Sequence, residues 1–427
     1  MRYQLTQHGD LDVSLFDHVA TNAALGLDGS MDMRQRSNLV QVDRELHGLW
    51  SLGRNSILGW SPTDTGILVL VVHHYAIAEY VSPTVEPCED AANSSGSHDF
   101  IMSMLTGSRR FTQRQLENAA RLLDATPVEL NLRHPLSNVE SESLVIDHLV
   151  QRYGVTYVPS RAVALFDIVG FSLLTPLEQM TQLNSLSHSL NSAHSKMLNR
   201  HIEINFARSS TGDGYYIWNR DLGVEANTHL YHFMHLVLAD NAIARSKSRG
   251  RTVPLLRACF HIDSCYEFYQ AEGLNPTMRS DIVGDVTIEL ARMIERALPG
   301  QVLVGEFKMQ PAIDDAYEPD LLHIDSIGFV ARAQENLARL NGLELSGDAI
   351  ESIKCYLTGR AQADGTFTVR KLTIDDKHGL TRNVFNAKIN IYRCVGEPIL
   401  LGIEDRLLRG ESAAVRTTAH IRTDPGS

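Results

Sequence analysis

At 427 residues, 43% hydrophobic and 21% charged, the chain has the length for two or three domains and enough apolar content for a sizeable core. A formal net charge of −12 excludes a broad nucleic-acid groove, though not a triphosphate whose charge is screened locally by metal ions. The longest apolar run, Gly66 to Val72, is far short of the ~20 residues a bilayer requires, and MRYQLTQHGDLD lacks the apolar core of a secretion signal. The expectation is therefore a cytoplasmic protein with no membrane insertion.

Five scattered cysteines (Cys88, Cys259, Cys265, Cys355, Cys394) show neither CxxC pairing nor zinc-ligand spacing, so they read as reduced thiols. Residues 1–150 form an N-terminal region whose role the sequence does not name. Within it, Pro83 to Asp99 and Arg133 to Ser143 read as loops from their Pro, Ser, Asn and acidic content. Arg109 to Leu130 has helical periodicity, with Leu116, Ala119, Ala120 and Leu123 on one face. It weakly resembles the last helices of a repressor-like helix-turn-helix; a plain two-helix packing element is the simpler reading.

Residues 155–307 are more informative. Val163 to Phe171 (VALFDIVGF) predicts a buried strand, and Pro176 opens a helix running to about Arg200. His201 to Ser209 and Tyr215 to Arg220 predict a hairpin turning at Thr211-Gly212-Asp213-Gly214. A helix over Glu225 to Ser246, a strand over Val253 to Ile262, a helix over Gly284 to Leu298 and a strand over Gln301 to Glu306 follow. The order is that of an α+β fold on the ferredoxin-like βαββαβ plan. Residues 308–405 predict a second α+β domain of strands around a Lys-His-Gly turn, and 406–427 a frayed polar tail.

Two acids stand out. Asp167 lies in a very apolar strand, where an uncompensated carboxylate is costly, and Asp213 lies at a glycine-flanked hairpin tip. The βαββαβ plan sets these strands side by side, and two close carboxylates call for a divalent cation. Alone, Asp213 reads as a turn residue and Asp167 equally as a loop cap; together they favour a metal pair of the kind that clamps both oxygens of a phosphoryl transfer.

FDIVGFS (Phe166 to Ser172) resembles the opening metal-binding motif of class III adenylate and guanylate cyclases, and TGDGYYIWN (Thr211 to Asn219) their second metal-binding hairpin. DIVGDVTIELARM (Asp281 to Met293) is similar to the family's base-contacting aspartate and the helix bearing its phosphate-binding arginine, and GQVLVGE (Gly300 to Glu306) to the strand after it. The resemblance implies that Asp167, Asp213 and the Ile168 carbonyl hold two Mn²⁺ or Mg²⁺ ions per site. It implies that Arg292 stabilises the triphosphate, with an i, i+3 ion pair to Glu289 as the alternative. Phe166, Val169, Gly170 and Phe171 would surround the phosphates, and Asp281 would sit near the base. It also implies a homodimer whose two composite sites take metals from one chain and base contacts from the other.

Two positions depart from the purine-cyclase pattern: Ser209 stands where a lysine contacts adenine, and Ile288 where an asparagine orients the ribose. Asp285, a turn earlier, would oppose phosphate. Changed specificity residues beside intact metal and phosphate residues resemble the pyrimidine (uridylate or cytidylate) cyclases of Pycsar antiphage defence. On that reading UTP is the first-choice substrate and CTP the second, with a separate effector binding the cyclic product. Arg257 would reach a pyrimidine carbonyl or pair with a surface acid. Tyr215, Tyr216, Tyr266 and Tyr269 would fill space a purine vacates or serve as core. An adenylate or guanylate cyclase with an unusual pocket, and an inactive cyclase-like sensor, stay open. The C-terminal segment resembles, less specifically, sensor-associated domains of defence loci; Lys377, His378, Lys388 and Arg393 would bind an anion or form a solvated basic face.

Overall fold

The computed structural model describes residues 31–77, 91–137, 140–271, 278–309, 324–361, 367–375, 379–405, 408 and 415–421. The chain divides into two compact units, 1–157 with 267–279, and 158–266 with 280–427.

The first unit contains α1 (Met33–Trp50), β1 (Asn55–Pro62), β2 (Gly66–His73), α2 (Ala91–Thr106), α3 (Gln113–Leu122), β3 (Val128–Asn131) and α4 (Glu140–Arg152). The apolar run read from Gly66 is β2, paired antiparallel with β1 and β3. Leu39, Val42 and Leu46 of α1 and Val145, Ile146 and Leu149 of α4 join Trp60 and Ile67 in its core. Three expectations are corrected here. The segment read as a loop to Asp99 is helical from Ala91, while 83–90, with Cys88, lie outside the described residues. The helix read over Arg109–Leu130 spans only Gln113–Leu122: Thr112 caps its start, Asp124 turns left-handed (φ 47°), and Pro127 cannot continue it. Its Leu116, Ala119, Ala120 and Leu123 are buried. The loop read to Ser143 gives way to α4 at Glu140.

Wholly or mostly in the second unit, β4 (Val155–Ile168), α5 (Pro176–Leu198), β5 (Phe206–Ser210), β6 (Gly214–Asn219), α6 (Val224–Lys247), β7 (Leu256–Ala271), β8 (Met278–Val283), α7 (Asp285–Arg296) and β9 (Val302–Gly305) follow in order. The sheet runs β9-β7-β4-β6-β5, which interleaves two split β-α-β units as the βαββαβ plan requires. Thr175 and Glu178 form a capping box at α5, with Pro176 in its first turn. Along β4, Ala162, Ala164, Phe166 and Ile168 enter the core that includes α5 and α6 residues. Val163 and Leu165 enter a different core with Val286, Leu290 and Met293 of α7. Burial on both faces explains why this strand reads as one continuous apolar run. Asp167 follows the second alternation, toward the α7 side, at the strand's end.

The sheet continues past β9. After β10 (Lys308–Met309), β11 (Ile324–Asp325), α8 (Ser326–Asn336) and β12 (Glu344–Leu345) come β13 (Asp348–Leu357), β14 (Gly359–Ala361), β15 (Phe367–Asp375), β16 (Thr381–Arg393), β17 (Ile399–Leu401) and β18 (Val415–Ile421). Strand β16 pairs antiparallel with β9 on one side and β13 on the other, so residues after 307 extend the same sheet. The tail expected to fray holds β18, paired with β15. Among the described residues, no helix is long and apolar enough to cross a membrane.

Candidate active site

Strand β4 ends at Ile168, and the register of its pairing with β6 sets Asp167 opposite Gly214. The Ile168 amide donates to the Asp213 carbonyl at 3.0 Å, so the hairpin tip is bonded to the strand end. Gly214 is required there: a Cβ would lie 1.9 Å from the Phe166 carbonyl oxygen. Thr211 closes the turn, its amide donating to the Gly214 carbonyl at 3.1 Å and its hydroxyl to Asp213 Oδ1 at 3.3 Å.

Asp167 is buried (6% exposed) and Asp213 half-buried. Burial pushes the Asp167 carboxyl above the usual carboxylate range, Arg257 opposes the shift, and Asp213 adds to it. The guanidinium is close: Arg257 Nε donates to Asp167 Oδ2 at 2.6 Å, and Nη1 donates to the Ala297 carbonyl at 2.9 Å. The sequence left Arg257 between a base carbonyl and a surface acid; the structure sets its side chain on an acid, the buried Asp167. The pairing depends on which β7 residue lies beside Asp167, and no local sequence pattern encodes that.

A divalent cation fits this arrangement. Two carboxylates near enough to affect one another attract positive charge, and the guanidinium on Asp167 already supplies part of it. Hard oxygen donors (Asp167, Asp213 and the Ile168 carbonyl) suit Mg²⁺ or Mn²⁺, which retain water and substrate oxygens to complete their shells. Among the described residues no group of three or more His, Cys, Asp or Glu side chains gathers, at these two acids or elsewhere.

Beyond Ile168 the chain turns through Gly170 (φ 70°) into a short 3₁₀ turn over Phe171–Leu173. The Val169 amide, expected at a phosphate, donates to the Leu255 carbonyl at 2.9 Å. The Phe171 carbonyl accepts from Gln179 Nε2 at 3.1 Å, which ties the turn to α5. Phe166 is fully buried.

A second set of predicted residues converges elsewhere in the unit. Ser209, Asp281, Ile288 and Arg292 line one groove of about 370 Å³, together with Tyr216 and Thr287. Tyr216 was among four candidate tyrosines; its hydroxyl donates to the Thr287 carbonyl at 3.2 Å and joins the hairpin to the first turn of α7. Tyr215 instead lies under the Arg208 guanidinium, 5.2 Å from the ring centroid. Ile288 is half exposed to the groove. Arg292 lies 3.4 Å from Glu295, and Glu289 bonds Arg382 at 2.7 Å. Asp285 accepts from the Ser264 hydroxyl at 2.9 Å. Strand β8, which carries Asp281, was missed by sequence reasoning because its MRSDIV run is half polar.

The remaining candidates are occupied. Arg393 pairs with Asp348 at 2.9 Å and buried Lys388 lies 3.8 Å from Glu404; Lys377 and His378 fall outside the described residues. Cys259, Cys265 and Cys355 are buried thiols, and Cys394 is an exposed one.

No family model matches the chain, and no curated protein matches it. Among solved structures it is similar to the guanylate cyclase domain of RhGC from Catenaria anguillulae in complex with GTP, at 11% identity over 54% of this chain and 97% of that one, with a TM-score of 0.33. It is also similar to the adenylyl cyclase CyaB from P. aeruginosa, at 10% identity over 55% of this chain and 95% of that one, with a TM-score of 0.32. The guanylyl cyclase Cya2 is a further match, at 12% identity over 54% and 92%, with a TM-score of 0.31. At these identities and scores the likeness assigns no residue a role.

Proposed function

We propose that the chain is a divalent-metal-dependent nucleotidyl cyclase that converts a nucleoside triphosphate to a 3′,5′-cyclic monophosphate and pyrophosphate. The observation that carries this reading is the meeting of Asp167 and Asp213 at the β4–β6 strand ends, bonded by the Ile168 amide. In the reaction the 3′-oxygen forms a bond to the α-phosphorus, the bond from that phosphorus to the pyrophosphate oxygen breaks, and the hydroxyl proton leaves to solvent. Mn²⁺ or Mg²⁺, two per site, would supply charge neutralisation when bound, held by Asp167, Asp213 and the Ile168 carbonyl. Arg292 would face charge developing on the phosphates. Phe166 would back the phosphate turn, and Gly170 and Phe171 would contribute main chain to it.

The base pocket on this reading is the groove of Ser209, Asp281 and Ile288. A serine hydroxyl there supplies no cation where the purine-cyclase pattern has lysine, and that change, with Ile288, supports a pyrimidine: UTP first, CTP second. The product would act as a second messenger in bacterial antiphage defence, read by a separate effector in the cytoplasm. The catalytic unit would be a homodimer with composite sites. The domain scheme that accompanies this reading is an N-terminal region (1–150), a cyclase domain (155–307), a sensor-like C-terminal part (308–405) and a tail (406–427).

A second reading, an inactive cyclase-like sensor, is favoured by the half-exposed Ile288 in the groove. An adenylate or guanylate cyclase with an altered pocket is the third. Purified protein incubated with Mn²⁺ and each of the four triphosphates in turn, with products identified by mass spectrometry, separates all three. Cyclic UMP or cyclic CMP is the expected product. Dominant cyclic AMP or cyclic GMP sinks the pyrimidine assignment, and no product from any triphosphate favours the sensor.

A further inference from the structure

Arg257 occupies the acid that the proposed function gives to metal. Its Nε lies 2.6 Å from Asp167 Oδ2, a short, charge-assisted contact on a side chain only 9% exposed. A second anchor, Nη1 on the Ala297 carbonyl at 2.9 Å, holds the guanidinium at the residue that ends α7. Fixed at two points, it is not a surface arginine drifting past a carboxylate. Its own side chain is 27% exposed, so it has a path to leave.

Charge decides what this contact does to a cation. Asp167 and Asp213 together offer two negative charges, and the guanidinium already offsets one of them. A divalent ion coordinating Asp167 would sit about 2.1 Å from a carboxylate oxygen, within a few ångströms of the guanidinium. Cations at that separation repel one another even in a partly solvated site. Either the arginine moves or the ion binds weakly.

We propose that Arg257 is a built-in competitor for the metal site: it holds Asp167 in the metal-free chain and must be displaced from it when a divalent cation binds. The proposal rests on Asp167 being a metal ligand. It assigns the arginine a role in metal occupancy, separate from any contact with substrate.

The test is Mn²⁺ binding by nucleotide-free, chelator-treated protein, read from the electron paramagnetic resonance signal of free Mn²⁺, with circular dichroism as the check on folding. Arg257→Gln removes the charge and should tighten Mn²⁺ binding about tenfold or more. Arg257→Lys keeps the charge and should stay within about twofold of the parent. Asp167→Asn should lose the site. Unchanged or weaker binding by Arg257→Gln overturns the proposal, since the arginine would then be orienting Asp167 for the metal. Equal tightening by the lysine variant also overturns it, because lost shape and not lost charge would be responsible. Absence of Mn²⁺ binding by parent and variants alike overturns the metal reading itself, and this inference with it.

Discussion

Asp167 has a cation on one oxygen and an acid close by, so its substitution separates structural from chemical contributions. Asp167→Ala should abolish turnover while the fold persists, because the acid sits at a strand end and not inside the apolar layers. It should still cost about 1–3 kcal/mol in urea denaturation, since the partly buried Arg257 loses its counter-ion. Solvent reaching the arginine keeps that figure below the cost of breaking a fully buried pair. The double variant Asp167→Ala/Arg257→Ala should recover part of the loss, giving a coupling energy of about 1–2 kcal/mol. Strict additivity of the two single changes would mean that the 2.6 Å contact contributes nothing in solution. Both acids were legible in the sequence, one as a charge inside an apolar run and one as an acid between two glycines. The guanidinium's partner was not: it depends on the order β7-β4 within the sheet and on register, and both arise from pairing distant segments.

At the scale of elements, the β5–β6 hairpin carries one of the two candidate acids, Asp213, and its two glycines differ in what they require. Gly214 lies where a Cβ would meet the Phe166 carbonyl at 1.9 Å, and backbone cannot yield as a flexible side chain can. Gly212 has open space around it but a φ of 96°, which L-residues rarely adopt. Gly214→Ala should therefore destabilise by about 3 kcal/mol or more and part Asp213 from Asp167. Gly212→Ala should cost about 1–2 kcal/mol through strain alone. Equal urea midpoints for the two variants would contradict the close approach of β6 to β4. The hairpin was readable because its turn residues are local signals, and α5 was readable because the Pro176 that opens it is also local. Helix α2 was hidden by Asn-Ser-Ser-Gly-Ser, a run that reads as loop, and β18 by a polar tail. The continuation of the sheet from β9 to β16 was hidden for a different reason. It joins strands far apart in sequence, so nothing near either one announces the partner.

At the scale of the whole molecule, the predicted residues fall into two sets: the acids at the β4–β6 ends, and the groove holding Ser209, Asp281 and Arg292. On the composite-site reading these two sets serve different sites of a dimer, each completed by the other copy. That makes a demand that single variants do not test. Asp167→Ala should be inactive for want of metal ligands, and Arg292→Ala should lose about 10²–10³ in turnover for want of phosphate charge. A heterodimer of one copy of each would have one site with both defects and one site with neither. Co-expressed with two different affinity tags and purified over both, it should regain about half the activity of the parent dimer. If each copy instead completed its own site, every site in the heterodimer would carry one defect and activity would stay near that of the weaker variants. The half-activity result needs metal ligands and phosphate contact to meet across the two chains, and no arrangement within one chain produces it.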